Sequence, residues 1–109
     1  MRAKIWNSAY WVRLEDGIVE ALGAVLDKAG FGVLGMQRQH FMPEGLTCLW
    51  LLSESHLALH TWPEHGVAYV ELSSCNEAKS GVFAQAVAQQ FVVESEKGGE
   101  HEYAAGAGS

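Results

Sequence analysis

A seven-residue apolar run at positions 46–52 constrains the fold more than any other part of the sequence. Only Thr47 in this run carries a polar group of note, and Pro43-Glu44-Gly45 supplies turn residues just before it. An apolar run this short, next to turn residues, is typical of a strand rather than a helix. We therefore predict a β-strand that is buried on both faces and that continues beyond Ser55 to Leu59.

Hydrophobic periodicity places the remaining elements around this strand. Aromatic and β-branched residues or apolar alternation predict strands, and apolar residues at helical spacing predict two amphipathic helices, the second capped by Ser80. The strands are expected at 4–13, 31–40, 67–72 and briefly at 92–93, the helices at 14–29 and 80–91, and a turn at 63–66. The order β-α-β-β-β-α(-β) predicts the α+β class, with two helices packed on one face of an antiparallel sheet.

Length and composition bound the class of protein. The chain has 109 residues, of which 49% are hydrophobic and 18% charged, as expected for one globular domain. We assign this domain to residues 1–95, and the glycine-rich end at 96–109 predicts a flexible tail. A domain this small with four tryptophans favours association into a homo-oligomer.

Charge and cysteine content restrict the partners and the compartment. Seven basic residues against thirteen acidic ones give a net charge of −6, which argues against nucleic-acid and anionic-membrane partners. The N-terminal residues lack the apolar run of a signal peptide, and no window is apolar enough for a membrane span. We therefore expect a cytoplasmic protein in which Cys48 and Cys75 are reduced thiols.

Four side chains between positions 55 and 75 carry chemistry. Ser55 offers a hydroxyl, His60 a base near neutral pH, Glu64 a carboxylate and Cys75 a thiol. His56, His60 and Glu64 would also line up as zinc ligands on a helix. However, the residues between them favour extended structure and Pro63 would end a helix, so no metal is expected.

Three segments together resemble a known family. They are His40-Phe41-Met42-Pro43-Glu44-Gly45-Leu46-Thr47, Ser53-Glu54-Ser55-His56 with His60-Thr61-Trp62-Pro63-Glu64, and Cys75 twenty positions after Ser55. This pattern resembles the prokaryotic S-adenosylmethionine decarboxylase proenzymes, which carry a covalent pyruvoyl group. The resemblance implies a lyase that cleaves itself between Glu54 and Ser55, giving a β chain of 1–54 and an α chain of 55–95 followed by the tail.

The resemblance also implies a role for each matching residue. Ser55 becomes the pyruvoyl group, which forms a Schiff base with the substrate amine, so no diffusible cofactor is required. The other assignments are His60 as the processing base, Thr47 as its support, Cys75 as the proton donor to the substrate, and Phe41, Glu64 and Trp62 as substrate-binding residues. An alternative for Trp62 and His56 is that they only pack against neighbouring side chains. Cys48 is assigned to the core.

The sequence is therefore compatible with three functions. The first is decarboxylation of S-adenosylmethionine for spermidine biosynthesis by a homodimer of processed αβ units. The second keeps the pyruvoyl chemistry and the fold but takes arginine or ornithine as substrate. The third is an unprocessed, non-catalytic homologue that binds a partner or ligand.

Overall fold

A six-stranded antiparallel sheet covered on one face by two helices makes up the protein. The computed structural model describes residues 2–104. The elements are β1 Arg2–Arg13, α1 Ile18–Lys28, β2 Val33–His40, β3 Leu46–Leu52, β4 Ser55–Trp62, a 3₁₀ turn Pro63–His65, β5 Val67–Ser74, α2 Glu77–Gln90 and β6 Val93–Ala104. The predicted α+β class, with both helices on one face of an antiparallel sheet, is confirmed.

The strand order across the sheet is β2-β3-β4-β5-β1-β6, and all paired neighbours run antiparallel. β4 therefore lies between β3 and β5, near the middle of the sheet. Its first residue, Ser55, pairs with Ser74 at the end of β5, whereas His60 near its other end pairs with Thr47 of β3 and Tyr69 of β5. This register distributes the chemically active residues along the full length of β4.

The hydrophobic core fills the space between the sheet and the two helices. α1 contributes Leu22 and Leu26, and α2 contributes Phe83 and Val87, all fully buried. From the sheet, alternate residues of each strand point toward these helices, as period-two alternation requires. None of the helices in the described part of the chain is long and apolar enough to cross a membrane.

The predicted continuation of the apolar strand beyond Ser55 is wrong. The chain turns at Ser53 and Glu54, so that residues 46–52 and 55–62 form two strands of a hairpin. Glu54 has φ of 55°, in the left-handed region that residues other than glycine seldom adopt. Ser53 and Glu54 are polar enough to end a strand, but they lack the glycine that usually signals such a turn.

The prediction that residues 46–52 are buried on both faces is also wrong within a single chain. Cys48, Trp50 and Leu52 face the helices and are buried, whereas Leu49 and Leu51 are 48% and 59% exposed. Both helices lie on one side of the sheet, so no element within residues 2–104 covers the other side. We call this uncovered side the open face; its residues include Trp11, Leu49, Leu51, Ala58, His60, Trp62 and Tyr69.

Both helices begin at residues other than those predicted. α1 begins at Ile18 rather than Leu14, because Gly17 adopts a left-handed conformation (φ 74°) that ends a preceding turn. α2 begins at Glu77, and its N-cap is Asn76 rather than Ser80, because the Asn76 side chain accepts a hydrogen bond from the Lys79 N–H at 2.9 Å.

The flexible tail expected from residue 96 is wrong as far as Ala104. Residues 93–104 form β6, which pairs with β1 from Val12↔Val93 to Arg2↔Ala104. The ladder of backbone hydrogen bonds to β1 compensates for the weak strand preference of its glutamate and glycine residues. Residues 105–109 of the predicted tail lie outside the described part.

Candidate active site

A cavity of about 210 Å³ opens beside the bond between Glu54 and Ser55. It lies between the β3–β4 turn and the start of α2. The residues that line it are Phe31, Gly32, Ser53, Glu54, Ser55, Cys75, Asn76 and Lys79. The fold thus brings the predicted cleavage site and the predicted proton donor, twenty residues apart in sequence, to one cavity, which we call the Ser55 cavity.

Hydrogen bonds around Cys75 hold it at the edge of this cavity. Ser74, directly opposite Ser55 in the sheet, is buried, and its Oγ accepts the Asn76 N–H at 2.9 Å. Asn76 in turn caps α2, and its carbonyl oxygen accepts the Ser80 hydroxyl at 2.8 Å. Cys75 is therefore fixed in the connection between β5 and α2, with its side chain exposed.

A second cavity, of about 330 Å³, lies at the other end of β4. It is lined by residues of the β2–β3 loop and of the β4 end, including Phe41, Thr47, His60, Trp62 and Glu64. All five of these residues were predicted to support processing or bind substrate. The structure brings them together in one cavity, which we call the His60 cavity, and Ser55 and Cys75 do not line it.

Thr47 orients the imidazole of His60. Thr47 Oγ1 and His60 Nδ1 are hydrogen-bonded at 2.9 Å between the paired strands β3 and β4. When Nδ1–H is the donor and the hydroxyl the acceptor, Nε2 carries the free lone pair that a general base needs. Thr47 can thus select the tautomer in which His60 accepts a proton.

An aromatic cluster adjoins His60 on the open face. Trp11 packs against Trp62 and Tyr69, with ring centroids 5.3 Å and 4.9 Å away, and Trp62 lies 6.3 Å from His60. The Tyr69 hydroxyl donates to Glu71 Oε2 at 3.3 Å. Burial, and then the charge and hydrogen bond of Glu71, raise the pKa of Tyr69, so its hydroxyl stays protonated at neutral pH.

Thr61 and Gly45 shape the β2–β3 loop, and of these two residues only Thr61 escaped prediction. Thr61 Oγ1 accepts the Leu46 N–H at 2.9 Å and donates to the Leu46 carbonyl at 3.5 Å. Gly45 has φ of 113°, and its carbonyl accepts the Phe41 N–H at 2.9 Å. Side-chain hydrogen bonds between strands leave no periodic signal, although Pro43-Glu44-Gly45 did indicate the turn.

Ser55 and His60 do not meet within one chain. They are five residues apart on an extended strand, which separates their Cα atoms by about 16 Å at a rise of about 3.3 Å per residue. An odd separation also places them on opposite faces, Ser55 with buried Leu57 and Leu59, and His60 with Ala58. A single chain therefore presents two partial sites at opposite ends of β4.

The same extension argues against the zinc alternative. His56 and His60 lie four residues apart on β4, about 13 Å along the strand, and Glu64 follows in the 3₁₀ turn. Among the side chains of residues 4–100, no group of three or more from His, Cys, Asp or Glu is arranged to hold a metal ion.

The sequence profile described as S-adenosylmethionine decarboxylase matches residues 6–102. The chain belongs to this family. The match includes every element from β1 to β6 and both cavities. The family resemblance inferred from the three sequence segments is thereby confirmed.

Individual relatives agree with this assignment. The chain is 42% identical over 71 residues to an S-adenosylmethionine decarboxylase proenzyme from Brevibacillus brevis, covering 65% of the chain and 49% of the relative. The corresponding proenzyme from Aquifex aeolicus is 40% identical over 65 residues, covering 60% and 47%. These alignments span about half the length of the curated relatives.

Solved structures extend the likeness over the whole fold. The crystal structure of the adenosylmethionine decarboxylase from Aquifex aeolicus superimposes with a TM-score of 0.68 at 28% identity, covering 93% of this chain and 88% of that one. The Trypanosoma brucei enzyme shares the fold at 15% identity, with a TM-score of 0.57, over 88% of this chain and 44% of its own.

Proposed function

We propose that this protein is a self-cleaving, pyruvoyl-dependent decarboxylase of S-adenosylmethionine. The observation that carries the proposal is the Ser55 cavity. It joins a peptide bond at a left-handed turn residue, Glu54, to a serine hydroxyl and to the thiol of Cys75. These are the groups required first to make a pyruvoyl group and then to use it.

Self-cleavage starts at the turn between β3 and β4. The Ser55 hydroxyl attacks the carbonyl carbon of Glu54, and the C–N bond breaks, which converts the peptide into an ester. A base removes the α-hydrogen of Ser55, and the Cβ–O bond breaks with its electron pair leaving on the Glu54 carboxylate. The dehydroalanine that remains tautomerises, and water hydrolyses it to the pyruvoyl group with loss of ammonia.

The pyruvoyl group, when formed, supplies a ketone that condenses with the substrate amine and accepts the electrons released on decarboxylation. Cys75 lines the same cavity and is placed to give a proton to the substrate α-carbon after carbon dioxide leaves. Phe41 and Trp62 offer apolar surfaces to the adenine ring, and Glu64 accepts hydrogen bonds from the ribose hydroxyls.

The distance between Ser55 and His60 supports a site that two protomers complete together. His60 is about 16 Å along the strand from Ser55, too far to remove the Ser55 α-hydrogen in its own chain. The open face carries the exposed side chains of Leu49, Leu51 and Trp62, which a second copy would cover. We propose a homodimer formed through the open faces, in which His60 of each protomer reaches the Ser55 α-carbon of the other at the end of the sheet, where the Ser55 cavity opens beside the β3–β4 turn.

The choice of substrate rests on the His60 cavity and on the relatives. Curated relatives from several bacteria are named S-adenosylmethionine decarboxylase proenzymes. The His60 cavity holds two aromatic side chains, Phe41 and Trp62, which suit the adenine ring, and two carboxylates, Glu44 and Glu64, which can accept hydrogen bonds from the ribose. A carboxylate could also pair with the terminal cation of arginine or ornithine, so the names of the relatives carry the choice, and no observation favours arginine or ornithine over S-adenosylmethionine.

Intact-mass spectrometry of the purified protein tests the proposal. The wild-type chain should yield fragments of 1–54 and 55–109, the latter carrying a ketone that hydroxylamine traps. Ser55→Ala should remain whole, because no hydroxyl can start the acyl shift. The cleaved protein should release labelled carbon dioxide from S-adenosylmethionine and not from arginine or ornithine. A wild-type chain that stays intact through long incubation would exclude the function.

A further inference from the structure

Lys79 is the only cation that lines the Ser55 cavity. It lies in the first turn of α2, and its backbone is fixed by the hydrogen bond from its N–H to Asn76 Oδ1. Its ammonium lies 5.7 Å from the centroid of the Phe31 ring, which is buried at the back of the cavity. The side chain of Lys79 is itself half-buried.

Helix stability does not account for a lysine at this position. The N-terminal end of a helix carries partial positive charge, so a cation in the first turn is unfavourable by a few tenths of a kcal/mol or more. No carboxylate in the part of the chain that the structure describes lies within ion-pair distance of Lys79. Its charge is therefore available to an anion that enters or forms in the cavity.

Self-cleavage creates such an anion in the cavity. When the ester between Glu54 and Ser55 undergoes elimination, the Cβ–O bond breaks and its electron pair remains on the Glu54 main-chain carboxylate. Negative charge thus develops on an atom of a residue that lines the cavity with Lys79. A cation placed in advance stabilises developing charge more effectively than water does, because it need not reorganise during the reaction.

We propose that Lys79 stabilises the Glu54 carboxylate as it leaves during self-cleavage, and afterwards binds it as the new C-terminus of the β chain. The role deepens the proposed function and rests on it. Lysine suits the task because its ammonium moves on a flexible stem from the Phe31 ring to the carboxylate as charge appears. The acyl shift that precedes elimination does not require it.

Lys79→Met tests this role, because methionine keeps the apolar stem against Phe31 and removes only the charge. We expect elimination to slow by about tenfold or more, so that the ester accumulates and hydroxylamine cleaves it to a Glu54 hydroxamate, detected by mass spectrometry. Lys79→Arg should restore most of the elimination rate. Lys28→Met, an exposed lysine of α1, should behave as wild type.

Glu54→Gln shows which of two carboxylates Lys79 serves. It removes the side-chain carboxylate of residue 54 and keeps the main-chain carboxylate that cleavage creates. In that background, Lys79→Met should still slow elimination by a similar factor; if its effect disappears, Lys79 serves the Glu54 side chain and the proposal is wrong. Equal elimination rates in wild type and Lys79→Met, without trapped ester, would also overturn it. Both outcomes require a wild-type chain that cleaves, so they are distinguishable from failure of the proposed function.

Discussion

Ser55 and His60 lie on the same strand but on opposite faces of the sheet and at opposite ends of β4. Their separation follows from strand geometry alone, because five residues of extended chain span about 16 Å. The two residues therefore line two different cavities of the chain. This arrangement makes the proposed dimer directly testable.

Mixing two inactive variants should restore cleavage in one of them. In a mixed dimer of one Ser55→Ala chain and one His60→Ala chain, one of the two sites is complete. That site combines Ser55 of the His60→Ala chain with His60 of the Ser55→Ala chain. Only the His60→Ala chain should then be cut, which intact-mass spectrometry of the mixture detects. As a control, a chain that carries both Ser55→Ala and His60→Ala should produce no cleavage when it is mixed with His60→Ala chains. Cleavage of neither chain in the first mixture would contradict a shared site.

Charge on the open face should disrupt the dimer. Leu51 is 59% exposed there, and a glutamate in its place would have to be desolvated in a face-to-face interface. We expect Leu51→Glu to run as a folded monomer in light scattering at micromolar concentration, and to cleave more slowly. Val82→Glu is the matched control, since Val82 is similarly exposed but lies on α2, away from the open face.

Removal of the Thr47 hydroxyl should slow self-cleavage without unfolding the protein. Thr47→Val keeps the shape of the side chain but loses the bond to His60 Nδ1, worth about 1 kcal/mol, or about fivefold in rate. Thr47→Ser keeps the hydroxyl and should cleave at close to the wild-type rate. The measurement is the time course of chain cleavage, with thermal unfolding as the check on stability. Equal rates in the Val and Ser variants would remove Thr47 from processing.

Cys75 should matter for turnover more than for maturation. Cys75→Ala should still cleave, because the Ser55 hydroxyl and His60 remain, yet decarboxylation should fall by about 10²- to 10⁴-fold. Without the thiol, protonation at the wrong carbon should convert the pyruvoyl group to alanine, a mass change visible in the α chain. Turnover and chain cleavage are measured on the same samples. Full turnover by Cys75→Ala would assign the proton donor elsewhere.

The two cysteines should differ sharply in reactivity. Burial raises the pKa of the Cys48 thiol, an effect that the charge of Arg38 only partly offsets, so little thiolate forms at neutral pH. Cys75 is exposed at the cavity edge. Iodoacetamide at pH 7 should therefore label Cys75 alone in the folded protein and both cysteines in urea. Labelling of Cys48 under native conditions would mean that the core opens readily.

Much of the fold follows from local sequence signals. The apolar run at 46–52, the helical spacing at 80–91 and the turn at Pro63 all correspond to observed elements, because periodicity and turn chemistry act over a few residues. The hairpin at Glu54 escaped prediction, and β6 was expected only at 92–93, for the opposite reason. A left-handed glutamate and a glycine-rich strand are held by pairing with distant strands, which no local pattern reports.

The candidate site, like the fold, could be predicted only in part from the sequence. Ser55, His60 and Cys75 were assigned from the family resemblance, and their spacing in sequence gave no indication that His60 lines a different cavity from the other two. The position of Lys79 beside the Ser55 cavity could not be predicted either, because a lysine three positions into a helix looks like an ordinary solvated side chain. Only the sheet register and the packing of α2 reveal both relationships.

The division of the site between the two ends of β4 also sets the timing of maturation. A newly made chain that must meet a second copy before it can be cut has a cleavage rate that rises with its own concentration. Scarce chains would persist as intact precursor, and abundant ones would mature together. In the dimer that we propose, the geometry of one strand would make the appearance of activity a collective event, governed by how many copies a cell contains rather than by any separate activating enzyme.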